Sequence, residues 1–204
     1  MRRTIRRVLT TTLAASICLT AVTIGAQTPT PPAGGGQARG GGRGPATPPL
    51  IMTSSAWEDG GVIPDKYTQA AGATAPSPEL KWSQVPPGTQ SFVLLMHDPE
   101  PVLNKGSKMD ITHWLVWNIP GTATELKEGV AAGELPDGTR QVSLRSNAYM
   151  GPGAPPGPYH HYTFELFALD TKLDLKEDAS RADVMKEMDG HILGKGILVG
   201  RFHR

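Results

Sequence analysis

The stretch NAYMGPGAPPGPYHHY, Asn147 to Tyr162, passes directly into TFELFAL, Thr163 to Leu169. Proline and glycine crowd the middle of the first segment. Proline fixes φ and has no amide proton to donate, so neither a helix nor a central strand can run through it. From Tyr162 onward the aromatic and apolar residues read as a strand running to Leu169. A proline-set loop therefore delivers His160, His161 and Tyr162 to the mouth of a buried strand. Loops held by a scaffold are where binding groups tend to sit. A proline-rich surface connection with two solvated histidines would have the same sequence, so the stretch needs its neighbours to be interpreted.

Working outward, two further segments have the composition of core strands. Ser91-Phe92-Val93-Leu94-Leu95-Met96 is continuously apolar after its serine, as in a strand buried on both faces, and it ends in His97-Asp98-Pro99-Glu100-Pro101. Trp114 to Ile119 is the next, stopped by Pro120-Gly121. Leu50 to Ser54 and Gly196 to Phe202 are strand candidates at the two ends of the domain. Leu80 and Trp82 alternate behind two prolines in the manner of a half-buried edge strand. Gln141 to Leu144 is a weak strand. Residues 103–110 are polar loop, and Ala182 to Met188 predicts a helix with Val184, Met185 and Met188 on one face. Many strands and little helix indicate a mainly β domain of sandwich type.

The chain before this domain has a different character. Met1 to Arg7 carries four arginines and no acid, Val8 to Ile24 is mostly apolar or small, and Gly25-Ala26 suits cleavage. This is the pattern of a secretory signal peptide over 1–26, with Arg2-Arg3 leaving a twin-arginine variant open. The single cysteine, Cys18, falls inside it, so no disulfide and no thiol chemistry are expected. Residues 27–49 are rich in glycine and proline and offer little apolar surface to offset the entropy of ordering, which predicts a flexible linker. One domain is then expected over 50–204. Its location would be periplasmic or secreted, and soluble, since no second long apolar segment follows. A formal net charge of +1 and the absence of a basic stripe interleaved with aromatics argue against nucleic acid as a partner.

Residues able to carry chemistry cluster at strand ends: Asp98 after one core strand, His113 before another, His160 before a third. If those strands are neighbours, a carboxylate and two imidazoles converge at one sheet edge. Such a trio could ligate zinc or non-haem iron, although no short-spaced pair such as HExxH accompanies it. It could serve as an acid–histidine catalytic dyad, although no nucleophile motif such as GxSxG is present. It could form an anion pocket, with Asp98 tuning the histidines and glycine-rich backbone supplying donors. Equally, Asp98 could cap a turn while the histidines satisfy local backbone groups.

Four motifs in order bear on that choice: Ser77-Pro78-Glu79-Leu80-Lys81-Trp82, Asp98-Pro99-Glu100-Pro101, His113-Trp114-Leu115-Val116-Trp117-Asn118-Ile119-Pro120, and Gly151 to Tyr162. Together they resemble the phosphatidylethanolamine-binding protein family, in its bacterial Raf kinase inhibitor-like branch, across nearly all of 50–204. The resemblance implies a β-sandwich with a few short helices and a small pocket for anions and phosphorylated head groups. It implies that Asp98, Pro99 and Glu100 form the pocket's aspartate-proline-acid loop, that His113 opens the central strand, that Pro155, Pro156 and Gly157 form a wall, and that His160 and Tyr162 belong to the family's His-Arg-Tyr triplet. Two positions depart from the pattern. Glu100 stands where a second aspartate is usual, with a reach further into the pocket expected. His161 replaces the arginine, exchanging a permanent cation for a titratable group.

The function these readings lead to is binding without turnover of a small anion or phospholipid head group, with no metal and no cofactor. Inhibition of a periplasmic protease or other enzyme through surface loops is the alternative, and a hydrolase or lyase ranks below it. A protein target and a homodimer are both compatible with the sequence.

Overall fold

The computed structural model describes residues 49–204, apart from Ala73 and Met109; the expected signal peptide and nearly all of the expected linker lie outside the described residues. Nine strands are formed among them: β1 (Ile51–Thr53), β2 (Gly61–Val62), β3 (Leu80–Ser83), β4 (Ser91–Asp98), β5 (Ile111–Pro120), β6 (Glu125–Leu126), β7 (Arg140–Val142), β8 (His160–Leu169) and β9 (Ile192–Phe202). One α-helix, α1 (Arg181–Glu187), and three short 3-10 turns complete the list of elements. A three-stranded sheet runs β1-β3-β6 and a six-stranded sheet runs β2-β9-β8-β4-β5-β7. All pairings are antiparallel except that of β2 with β9. The class is mainly β, as the strand-rich sequence predicts.

The apolar run of β4 is buried on both faces. Phe92, Leu94 and Met96 enter a core closed on the other side by Met52, Leu80, Trp82 and Leu126 of the small sheet. Trp82 and Phe92 meet across it with ring centroids 5.3 Å apart. Val93 and Leu95 point the opposite way, into a second core with Leu115, Trp117, Phe167, Val184 of the helix and Met188 at its C-cap. Helix α1 begins with a capping box, in which the Ser180 side chain accepts from the Asp183 amide and the Asp183 side chain accepts from the Ser180 amide. The helix is tied to the sheet by Arg181, which donates to Asp110 at 2.6 Å. None of the described helices is long and apolar enough to cross a membrane.

Several sequence expectations change. The strand carrying Leu80 and Trp82 is the middle of the small sheet and not an edge, because β6, too short to announce itself, covers its other side. Met185 stays 37% exposed while Val184 and Met188 are buried, since a seven-residue helix presents only a narrow stripe to the sheet. The strand expected from Tyr162 starts earlier, at His160, which pairs with Phe202.

Strand β5 interrupts its own alternation twice. Phe92 faces Ile119 but Leu94 faces Val116, so one extra residue is accommodated between them. Asn118 absorbs it at φ 59, in the left-handed region that asparagine tolerates better than most residues. Its side-chain amide donates to the Leu173 carbonyl at 2.9 Å and accepts from the Leu173 amide at 2.8 Å, pinning the crossover loop to the sheet. Replacing Asn118 with alanine should cost about 2–4 kcal/mol, combining the left-handed penalty with two lost hydrogen bonds. Asn118→Gly should be milder by about 1 kcal/mol, because glycine keeps the backbone conformation. Urea unfolding midpoints of the two variants check this, and the reverse ranking would refute it.

Candidate functional site

Alternation sorts the ends of β4 and β8. Asp98 lies two residues beyond Met96, and His160 and Tyr162 lie four and two residues before Phe164, so all three share the face of the inter-sheet core. His97 points the other way, where its Nδ1 is 2.5 Å from Asp110 Oδ2. His113 would follow His97 to that side if β5 alternated regularly. It does not: Met96 faces Trp114 while His97 faces Thr112, and His113 is the extra residue between. The bulge turns its ring against Tyr162, edge-on, with centroids 5.0 Å apart.

Each polar atom can be accounted for. Asp98 is almost fully buried; its Oδ1 accepts from the Glu100 amide at 3.0 Å and its Oδ2 lies 2.8 Å from His160 Nδ1. His113 Nδ1 lies 2.8 Å from the Met150 carbonyl, which can only accept, so this nitrogen carries the proton and Nε2 keeps the lone pair. The Tyr162 oxygen accepts from the amides of Gly153 and Ala154 at 3.2 and 3.1 Å, leaving its own proton to donate. The proline-rich segment is thus held by two amides pointing at one phenol.

Burial governs the electrostatics. It lowers the His113 pKa to about 4, so the imidazole is neutral at physiological pH. It raises that of Asp98, against the opposing pull of His160. Burial, followed by the nearby Asp98 carboxyl, holds the Tyr162 hydroxyl above its ordinary range. Glu100 is also pushed up by burial, but its hydrogen bonds from His161 outweigh this and leave it below the usual carboxylate value.

These groups line a cavity of about 410 Å³. Of the residues predicted from sequence, Asp98, His113, Pro155, His160 and Tyr162 are on its wall; Pro99, Glu100, Pro156 and Gly157 are not. Glu100 does not reach further inward as expected. It turns to His161, accepting from the amide at 3.0 Å and lying 2.6 Å from Nδ1. Pro156 and Gly157 are exposed on the outer side of the loop. The wall also includes Gln69, Asn104, Ile111, Leu144 and Arg145, which sequence reasoning missed. Arg145 is the important omission. It supplies the lining's only arginine, from an irregular segment with no motif around it.

The metal-ligand reading weighed and set aside in the sequence, Asp98 with two histidines, is not the grouping the described residues form. Asp98, Glu100 and His160 do bring ligand-type atoms within 4.8 Å of one another, and His113 is not among them. Asp98 and His160 are bonded to each other and Glu100 to His161, so an ion would have to displace both contacts.

The model of the family described as phosphatidylethanolamine-binding protein matches residues 53–203. The chain belongs to that family. Among family relatives, a UPF0098 protein of Methanothermobacter thermautotrophicus is 42% identical over 158 residues, covering 76% of this chain and 99% of its own. The UPF0098 protein PH1269 of Pyrococcus horikoshii is 36% identical over 76% of this chain and 77% of its own. Of solved structures, the phosphatidylethanolamine-binding protein homologue CT736 from Chlamydia trachomatis superposes with a TM-score of 0.65 at 29% identity, covering 76% of this chain and 98% of that one. E. coli YbcL superposes with a TM-score of 0.63 at 27% identity and the same coverage. Against the family pattern, the two departures noted in the sequence turn out to be partners: the longer Glu100 carboxylate meets the shorter His161 ring.

Because the folded His113 takes up a proton only near pH 4 and an unfolded histidine does so near 6.5, the unfolded state binds more protons between these values. Stability should therefore fall as pH drops through that window, by up to about 3 kcal/mol from this group. The upward shift of Asp98 gives the opposite slope above its ordinary value, and it is present in both proteins compared. Urea midpoints at pH 7.5 and 4.5 should differ less in His113→Asn, which keeps a donor for the Met150 carbonyl but cannot titrate. Equal losses in parent and variant would contradict the assignment.

Proposed function

We propose that this chain binds a small anionic group, a phosphate or phosphorylated head group, in the cavity bounded by Asp98, His113, His160 and Tyr162, and that it does so without turnover. The observation that carries this reading is Arg145, an exposed guanidinium on the cavity wall that makes no ion pair among the described residues. The Tyr162 hydroxyl, with both amide contacts already accepted, keeps a proton for which an anion's oxygen and the Asp98 carboxyl compete. His113 cannot be a source of positive charge, being neutral with its proton committed to Met150. It offers only a lone pair, suited to a ligand hydroxyl or a protonated phosphate oxygen.

Asp98 opposes an anion while it is ionised. Burial favours its protonated form, so binding should couple to protonation of Asp98. Binding without turnover is the reading because the Tyr162 hydroxyl stays protonated and the single cysteine lies in the expected leader, which leaves no side-chain nucleophile among the groups named here. If that leader, 1–26, directs export, binding takes place outside the cytoplasm.

Calorimetric titration with phosphoethanolamine tests the site directly. Arg145→Ala should weaken binding about five- to ten-fold, toward the lower end for a charged hydrogen bond because the guanidinium is exposed. Unchanged affinity would remove Arg145 from the site. With sulfate, whose own charge is constant above about pH 4, affinity should fall as pH rises above the ordinary carboxylate range, and Asp98→Asn should flatten the dependence. A flat profile in the parent would rule out the coupling to Asp98.

A further inference from the structure

A second cavity, of about 290 Å³, adjoins the first and shares Gln69, Arg145 and Met150 with it. Its remaining wall includes Ser146 and Arg204, and no carboxylate side chain lines it. Arg204, like Arg145, forms no ion pair with a side chain among the described residues. The partition is thin. Gln69 donates through Nε2 to the Gly151 carbonyl at 2.8 Å and lies so close to Gly153 that a Cβ there would come within 2.4 Å of that nitrogen. Arg145 stands at the junction of the two spaces, and its charge also helps hold His113 low, after burial. The third nearby arginine is engaged elsewhere: the Arg201 guanidinium sits over the Tyr159 ring, 5.1 Å from its centroid.

We propose that the two cavities form one binding site for a ligand carrying two anionic groups on a short spacer, the second group seated between Arg145 and Arg204. The proposal rests on the anion-binding reading of the first cavity and specifies the ligand class. A single phosphate in the first cavity leaves Arg204 and Ser146 unused. A second anion tethered to the first meets them at high effective concentration.

Titration of the full chain with inorganic phosphate, 1,3-propanediol bisphosphate and 1,6-hexanediol bisphosphate decides the matter. At least one bisphosphate is expected to bind about ten-fold more tightly than phosphate. Arg204→Ala should abolish that advantage, leaving the bisphosphates no tighter than phosphate. Arg201→Ala, which removes the same charge outside the second cavity, should preserve the advantage. Bisphosphates no tighter than phosphate, or an advantage that survives Arg204→Ala or is lost equally in Arg201→Ala, would overturn the two-anion proposal while leaving the first cavity's reading intact. No binding of phosphate or either bisphosphate to the parent would overturn both.

Discussion

Five consecutive side chains of β4, Phe92 to Met96, are wholly removed from water, alternately into the core between the sheets and the core under the helix. Each buried side chain of this kind contributes about 2 kcal/mol relative to exposure, so the strand cannot slip by one residue without exchanging its contents between two differently shaped cores. That register places Asp98 at the strand's end. The neighbours of β4 are β5 and β8, and they carry His113 and His160. The site is therefore held by the most deeply buried part of the molecule. Its polar groups sit at the edge of an apolar core that cannot rearrange locally.

Departures from regular strand geometry then direct the chemistry. With perfect alternation in β5, His113 would lie beside His97 on the helix face. The bulge brings it to Tyr162 instead, and the Met150 carbonyl selects its tautomer. The Tyr162 phenol in turn fixes the loop through the amides of Gly153 and Ala154, so backbone donors that could have faced a ligand are already occupied. Strand distortion, side-chain orientation and hydrogen-bond accounting together limit what the cavity can offer: one phenol proton, one imidazole lone pair, a carboxyl–imidazole pair and a guanidinium at the wall.

Those limits revise the simple picture of an anion held by charged histidines. Burial disfavours charge on His113 and on Asp98 alike, so His113 supplies no positive charge to the inner cavity. Positive charge comes from an exposed residue, where an ammonium or guanidinium costs little to keep ionised. Glu100 and His161 form their own contact outside the lining, which keeps both departures from the resemblance pattern away from the cavity wall.

The sequence by itself determined the class and the central strands. A continuous apolar run, a proline-rich loop and aromatic segments are local signals, and period-two alternation follows from backbone geometry alone. It also placed Asp98, His113 and His160 at strand ends, and their ordered motifs pointed to the family. It could not show that His113 sits on a bulge, because a bulge depends on how two strands pair and not on either one. It could not separate Glu100 and Pro156 from the lining, since the direction of a loop side chain is set by its partners: His161 for Glu100, solvent for Pro156. Nor could it find β6 or Arg145, a two-residue strand and a lone arginine in irregular chain whose roles exist only through neighbours distant in sequence. Composition and periodicity report what a segment buries. Only the tertiary structure decides which polar atoms remain unsatisfied once everything else is buried, and those atoms make the site.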